Sequence, residues 1–305
     1  MKNSIDLTER GLYIFWQYTN EILVERISVR ENGLVGTLFR ERRSSSAIII
    51  LGGSNGGLPE GRAQELAQHG FTCLALAYFA AESLPPTLNR IPLEYFEKAI
   101  RRLQREPGIQ RIGLWGTSRG AELALILGSL FSNQIHAIAA HVPSSVVYGT
   151  LDEQNLPAWT YHGKPFAPNA PFKHPFAKGE SEISAIVATP CFLGGMEDQK
   201  AFAESAIPVE KIRCPLLLIS AQDDQMWPSS FFAEQIVSRL STYRSPISCT
   251  HLSYPGVGHA PAKGIAGLHP IMKRWFVFGG NPQDNALAVQ DWSKQTTLFF
   301  KEALS

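Results

Sequence analysis

Three side chains in this sequence, a serine, an aspartate and a histidine, are spaced so that they could carry out nucleophilic acyl transfer. Ser118 lies in Gly116-Thr117-Ser118-Arg119-Gly120, a G-x-S-x-G run between an apolar strand-like stretch, Arg111 to Trp115, and a helix-like stretch, Arg119 to Phe131. In that setting the serine sits on a sharp strand-to-helix turn whose crowded backbone only glycine neighbours permit, with its hydroxyl raised clear of the chain. It also stands at a helix N-terminus, where the dipole and free N–H groups favour the negative charge of a tetrahedral intermediate. Such a nucleophile needs a base within hydrogen-bond reach and a third group to hold the base. Of the eight histidines, only His259 follows a late strand in a sharp loop, Tyr254-Pro255-Gly256-Val257-Gly258-His259. His69 falls at a helix end, His162 and His174 precede the last strands, and His251 lies within one. The third group is expected at the carboxyl end of the preceding strand, where functional groups collect in a parallel sheet. Two aspartates stand there, and Asp224 is read as the orienting acid, with Asp223 shaping the turn through backbone hydrogen bonds.

The charge that develops on a substrate oxygen needs N–H donors. The amide of Arg119 supplies one, and the run Gly52-Gly53-Ser54-Asn55-Gly56-Gly57 supplies the other, with Ser54 as the expected donor. That run lacks the Lys-Ser or Lys-Thr ending of a phosphate loop and the G-x-G-x-x-G spacing, which sets nucleotide binding aside. No histidine or cysteine cluster has ligand spacing, so no metal or organic cofactor is expected.

The elements that must position these groups can be read from apolar runs of strand length alternating with helical segments, the pattern of a parallel sheet with crossover helices. Strands are expected at Ala47 to Leu51, Thr72 to Tyr78, Arg111 to Trp115, Ile135 to His141, Pro215 to Ser220 and Ser248 to Tyr254. Helices are expected at Glu60 to His69, Leu93 to Arg105, Arg119 to Phe131, Ser229 to Leu240 and Ala286 to Ala303, with Ser229 as an N-cap. A hairpin precedes them, Ile22 to Val29 and Leu34 to Phe39, turning tightly at Asn32-Gly33. The whole reads as one α/β-hydrolase domain over residues 1–305, a mostly parallel sheet with helices on both faces and a short extension over 1–20. In that fold the chain order is Ser, then Asp or Glu, then His, and the spacing of Asp224 from Pro228 is one met in many of its hydrolases. Residues 143–210, rich in proline and aromatics, are expected to insert as a cap, with Trp159, Tyr161 and Phe166 forming an acyl-binding wall.

With these residues in place the chain resembles the catalytic domain of the acyl-CoA thioesterase and bile acid-CoA:amino acid N-acyltransferase family. The likeness rests on Gly56-Gly57-Leu58-Pro59-Glu60-Gly61-Arg62 with Leu74-Ala75-Leu76-Ala77-Tyr78-Phe79, and on Pro92-Leu93-Glu94-Tyr95-Phe96-Glu97-Lys98-Ala99. It extends to Gln222-Asp223-Asp224 with Trp227 and Ser229, and to the Tyr-Pro-Gly-x-Gly-His run ending at His259. In the family the second aspartate is the triad acid, which agrees with Asp224. Two departures stand out: only some 20 residues precede the hairpin where the eukaryotic enzymes carry a β-sandwich, and Ala260-Pro261-Ala262-Lys263 replaces the usual Glu-Pro-Pro after the histidine.

Composition narrows the partners. A net charge of +1 with 44% hydrophobic and 18% charged residues implies no nucleic-acid partner, and no apolar run reaches the roughly 20 residues needed to span a bilayer. Four cysteines without a CxxC pair and an amino terminus without an apolar h-region point to the cytosol. The resemblance implies hydrolysis of an acyl thioester, an acyl-CoA above all. Serine as nucleophile favours hydrolysis, because members that pass the acyl group to an amino acid commonly use cysteine at this position. A small-ester hydrolase of the dienelactone type, an N-acyltransferase and a catalytically silent ligand-binding module remain as alternatives. The oligomeric state is not legible.

Overall fold

In the computed structural model residues 6–7, 12–17, 20–150, 155–173, 186–259 and 276–305 are described. The strands are β1 (Asp6–Leu7), β2 (Leu12–Gln17), β3 (Asn20–Ile27), β4 (Val35–Glu41), β5 (Ser46–Leu51), β6 (Thr72–Ala77) and β7 (Ile91–Pro92). They continue as β8 (Arg111–Thr117), β9 (Ala137–His141), β10 (Trp159–Tyr161), β11 (Lys164–Pro165), β12 (Leu216–Ala221) and β13 (Cys249–Tyr254). Among the described residues ten of them form one sheet in the order β1-β2-β3-β4-β6-β5-β8-β9-β12-β13. The pairs from β1 to β4 and the β4–β6 pair are antiparallel, and from β6 onward the sheet is parallel. The central strands are continuous apolar runs because helices cover both of their faces. One layer packs α3 (Glu94–Gln104), α4 (Arg119–Leu130) and α7 (Ser229–Thr242) on a core that includes Leu103, Leu127 and Ile236. The other packs α2 (Glu60–Gln68) and α8 (Pro282–Ala303) on a core that includes Leu66, Trp115 and Phe300. Shorter helices are α1 (Val29–Asn32), α5 (Thr189–Gly195) and α6 (Gln199–Glu204).

Successive strands step outward from β5 in one direction to β6, and from β8 in the other to β9. The order therefore reverses between β5 and β8, and the crevice outside their carboxyl ends is where an open α/β sheet receives a ligand. Both the Gly52–Gly57 loop and Ser118 leave the sheet there.

Several expectations need correction. The hairpin of β3 and β4 does not turn on a two-residue Asn32-Gly33 pair: one helical turn, α1, intervenes, and of the two residues only Gly33 takes positive φ, +63°, as its cap. The stretch before it is not a bare extension, since β1 and β2 continue the sheet. Helix α8 begins at Pro282, four residues earlier than expected, with the Asn281 side chain accepting from the Asp284 amide at 2.9 Å. Ser229 is not the N-cap of α7: its hydroxyl donates to the Ala221 carbonyl at 3.3 Å and ties the helix to β12.

His141 ends β9 in the second layer, against Trp115 and Trp292 with ring centroids 6.4 and 4.2 Å away. Its Nδ1 lies 3.1 Å from Thr117 Oγ1 and its Nε2 is buried without a partner. Burial, with Arg62 and His259 adding to it, lowers its pKa to about 3. The imidazole is thus neutral in the fold across a range in which the unfolded chain takes up a proton near pH 6.5. Stability falls as pH drops from 6.5 toward 3. For this group alone the loss between pH 7 and pH 5 is about 2 kcal/mol. Urea unfolding at both pH values, compared with His141→Gln, checks it: the variant should show a smaller pH dependence, and an unchanged one would exclude His141 as the source.

Candidate active site

The turn that carries Ser118 is built by glycine. A Cβ at Gly116 would collide with the Gly120 carbonyl, and one at Gly120 with the carbonyl oxygens of Leu51 and Gly52. Backbones can therefore touch here, and Ser118 is driven to φ +55°, ψ −122°, a region that side-chain-bearing residues seldom enter. Its amide donates to the His141 carbonyl on β9 at 2.9 Å, and its carbonyl accepts from Ala121 and Glu122 in the first turn of α4. Arg119, the first residue of α4, has an amide with no acceptor inside the helix.

His259 Nε2 stands 3.0 Å from Ser118 Oγ, and His259 Nδ1 stands 2.8 Å from Asp224 Oδ2. The other oxygen of Asp224 accepts from the amides of Met226 and Trp227, each at 3.1 Å, so its carboxylate is held at both oxygens. Asp223 turns away: Oδ2 accepts from the Gly280 amide at 2.7 Å and Oδ1 from Gln225 Nε2 at 3.0 Å. His259 is fixed by its amide, which donates to the Phe278 carbonyl at 2.7 Å, and by the Trp227 ring packed edge-on at 5.7 Å. The Gly258 amide donates to the buried side chain of Asn285 on α8. Close packing of Gly258 on Gly279, and of Gly279 on the Asp223 carbonyl, locks the histidine loop to the aspartate loop. The Ala260–Lys263 replacement and His174 lie outside the described residues.

On the far side of Ser118 the loop after β5 comes close. Gly53 faces the serine so nearly that a Cβ there would stand 3.3 Å from Ser118 Cβ. Gly53 accepts from the Gly56 amide at 3.2 Å, which makes Ser54 and Asn55 the corners of a turn. Tyr78, just past β6, donates its hydroxyl to the Gly52 carbonyl at 2.5 Å.

The expected aromatic wall is not where the sequence reading put it. Trp159 is 1% exposed, packed on Tyr78 and Phe96, with its indole N–H donating to Glu122 Oε1 at 2.7 Å. Its strand β10 pairs with β7 and β11 along the side of the first layer. Tyr161 packs on Phe131, at the opposite end from Ser118 of a helix about 18 Å long. Phe166 is half-buried against the same core. Of the three aromatics expected at the cleft, Trp159 is core and Tyr161 and Phe166 are partly buried against that core. The segment that does reach the site lies later. The Ala188 amide donates to the Gln225 carbonyl at 2.9 Å and Thr189 Oγ1 to the Asp224 carbonyl at 2.8 Å, leaning α5 on the aspartate loop.

The sequence reading missed Tyr78, Glu122, Trp227, Asn285 and the Gly279-Gly280 pair as supports. Glu122 had a signal: with Arg119 it is a charged pair in a helix whose residues 123–128 are all apolar or glycine, and both are buried, at 0% and 1%. Gly279-Gly280-Asn281-Pro282 had one too, as turn residues leading into a helix start.

Among the described residues no group of three or more His, Cys, Asp or Glu side chains is arranged to hold a metal, and no helix is long and apolar enough to cross a membrane.

Known proteins share this fold and family. The solved structure of an α/β hydrolase from a Medee basin deep-sea metagenome library matches with a TM-score of 0.54 and 16% identity, over 93% of this chain and 98% of that one. Carboxyl esterase 2 of Tuber melanosporum matches with a TM-score of 0.54 and 15% identity, over 98% and 90%. Both share the α/β-hydrolase fold. In sequence, acyl-coenzyme A thioesterase 1 of Homo sapiens is 34% identical over 296 residues, 92% of this chain and 66% of that protein. The peroxisomal succinyl-coenzyme A thioesterase of Mus musculus is 32% identical over 294 residues, 92% and 66%. The mitochondrial acyl-coenzyme A thioesterase 2 of Homo sapiens is 34% identical over 296 residues, 92% and 57%. The chain thus spans just under two thirds of the first two and less of the third. The family model described as BAAT / Acyl-CoA thioester hydrolase C terminal matches residues 91–305. On that match, which takes in α3, Ser118, Asp224 and His259, the chain belongs to the BAAT / acyl-CoA thioester hydrolase family.

Proposed function

We propose that this protein is a serine hydrolase that cleaves an acyl thioester, an acyl-CoA, through Ser118, His259 and Asp224. The observation that carries the reading is the hydrogen-bonded chain from Asp224 through His259 to Ser118, 2.8 and 3.0 Å long, on a strained glycine-flanked turn. Ser118 Oγ attacks the thioester carbonyl carbon while His259 Nε2 takes its proton, and Asp224 holds the imidazole in the tautomer that can do so. The amides of Arg119 and Ser54 receive the oxyanion. The C–S bond then breaks, His259 returns the proton to the leaving sulfur, and water frees the acyl group by the same steps in reverse roles. Family membership favours a thioester over the small ester that the same machinery could cleave. Four unpaired cysteines suit a reducing compartment such as the cytosol.

The apolar wall for the acyl chain is assigned to α5 and the residues before it instead of Trp159. Val187, next to the residues that bond to the aspartate loop, and Leu193, one turn further along α5, stay 43% and 44% exposed. Each methylene that such a wall covers would add up to ~0.8 kcal/mol to binding.

Three tests follow. Ser118→Ala should stay folded and lose at least ~10³ in turnover, since only binding and oxyanion stabilisation survive loss of the nucleophile. Retention of a tenth of wild-type activity against an acyl-CoA panel would remove Ser118 from the mechanism. Asp224→Asn should lower kcat by roughly 10³–10⁴, the cost of a wrongly held imidazole, while Asp223→Asn should cost about tenfold or less. The opposite ranking would reassign the acid. Leu193→Ser should reduce the preference for decanoyl-CoA over acetyl-CoA and leave acetyl turnover unchanged; equal losses on both would take α5 out of the pocket.

A further inference from the structure

Behind the site lies a buried polar cluster that the chemistry above does not use. Glu122 and Arg119 are paired at 2.7 Å inside the first turn of α4, both almost wholly shielded from solvent. Glu122 also accepts from the Trp159 indole at 2.7 Å and, more weakly, from the Tyr148 amide at 3.4 Å. Arg119 donates from its other terminal nitrogen to the Tyr148 carbonyl at 2.7 Å, and its guanidinium lies 5.9 Å from the Trp159 ring. Trp159 packs on Tyr78, 5.8 Å between centroids, and the Tyr78 hydroxyl holds the Gly52 carbonyl. A well-packed apolar cluster would fill this space at no loss of stability, because burying an ion pair costs desolvation that its attraction seldom exceeds. What an apolar cluster could not do is fix direction. Arg119 is the residue whose amide is assigned above to the oxyanion, and Gly52 begins the loop that brings Gly53 against Ser118, with Ser54 next along it.

We infer that Tyr78, Glu122 and the Arg119 side chain are positioning residues that hold both halves of the oxyanion site, the first turn of α4 and the loop after β5, in one buried network. The inference rests on the reading of Ser118 as nucleophile. Rotation of the Gly52 peptide would swing the following amides off their target. The Tyr78 hydroxyl opposes it by pinning the carbonyl. Arg119, gripped by Glu122 and by the Tyr148 backbone, keeps the helix start from sliding along its axis, and Trp159 joins the two halves by contact with Tyr78.

The test uses a fluorophosphonate probe on the full chain, which needs no knowledge of the natural acyl group. Ser118 Oγ forms a bond to phosphorus and fluoride leaves, while His259 takes the hydroxyl proton; the phosphoryl oxygen gains charge where the oxyanion would sit. Tyr78→Phe removes one hydroxyl and keeps the ring. It should lower the maximal labelling rate by about tenfold or more, less than the 10²–10³ of a deleted donor, with the half-saturating probe concentration within twofold. Trp159→Phe, which deletes the indole N–H to Glu122, should give a smaller loss of the same kind. Arg119→Lys, which keeps the charge beside Glu122, should retain more rate than Arg119→Met. A Tyr78→Phe protein labelled at the wild-type maximal rate, or one whose half-saturating concentration alone changes, overturns the inference even where its melting temperature falls. Ser118→Ala serves as the separate control: absence of labelling there leaves the nucleophile reading standing whatever Tyr78→Phe does, and labelling retained in Ser118→Ala overturns both.

Discussion

Contact between bare backbones at Gly116 and Gly120 is the constraint on which the arrangement around Ser118 depends. Because neither residue carries a Cβ, the start of α4 drops onto the carbonyls of Leu51 and Gly52 at the end of β5, and Ser118 is left standing at the apex in a conformation it would not choose alone. The same approach brings the loop after β5 within reach of the serine. Two strands, one helix and one loop are thereby set against one another by hard-sphere contact. The remaining partners have only to arrive at a point already defined.

Their arrival uses the same device a second time. Gly258, Gly279 and Gly280 let the histidine loop, the aspartate loop and the approach to α8 interlock through main chain, and Asp223 bonds across the seam to the Gly280 amide. The two adjacent aspartates thus divide the work. One orients a ring, and the other closes the joint that keeps that ring's loop in place. Trp227, packed on His259 and donating its indole to the Val142 carbonyl at 3.2 Å, links this joint back to β9.

What could be read from the sequence follows from which physical signals are local. The central strands were legible because continuous apolar runs bounded by turn residues have few other readings, and Ser118, Asp224 and His259 stood out as candidates because each follows a strand at the carboxyl edge of the sheet, Ser118 at a strand-to-helix turn and the other two in loops. The hairpin was found and its turn was not, since Asn32-Gly33 looks the same at the end of a helical turn as in a two-residue loop. Trp159 shows the limit. Its neighbours in sequence mix a proline with apolar and polar residues in no helical or strand period, and nothing local reveals that a glutamate 37 positions earlier will accept its indole N–H inside the core. The start of α8 is signalled locally by Asn281-Pro282, a cap and first-turn pair that lies ahead of the apolar periodicity.

The distance along the chain between Ser118 and His259 has a further consequence, one of folding kinetics. Their hydrogen bond spans 141 residues, and between them lie β9, β12 and β13, which must add to the sheet in parallel before the histidine loop has anywhere to rest. Parallel pairings of this kind pay chain-closure entropy before contacts return it, which makes them slow to form. The Ser118 hydroxyl therefore meets His259 only after the sheet is complete out to its last strand. A chain that has assembled β5, β8, α4 and β9 already holds the contacts that shape the Ser118 turn, before the loop of His259 is in place. The contact between Ser118 and His259 is thus one of the late ones in the order of assembly, by topology alone.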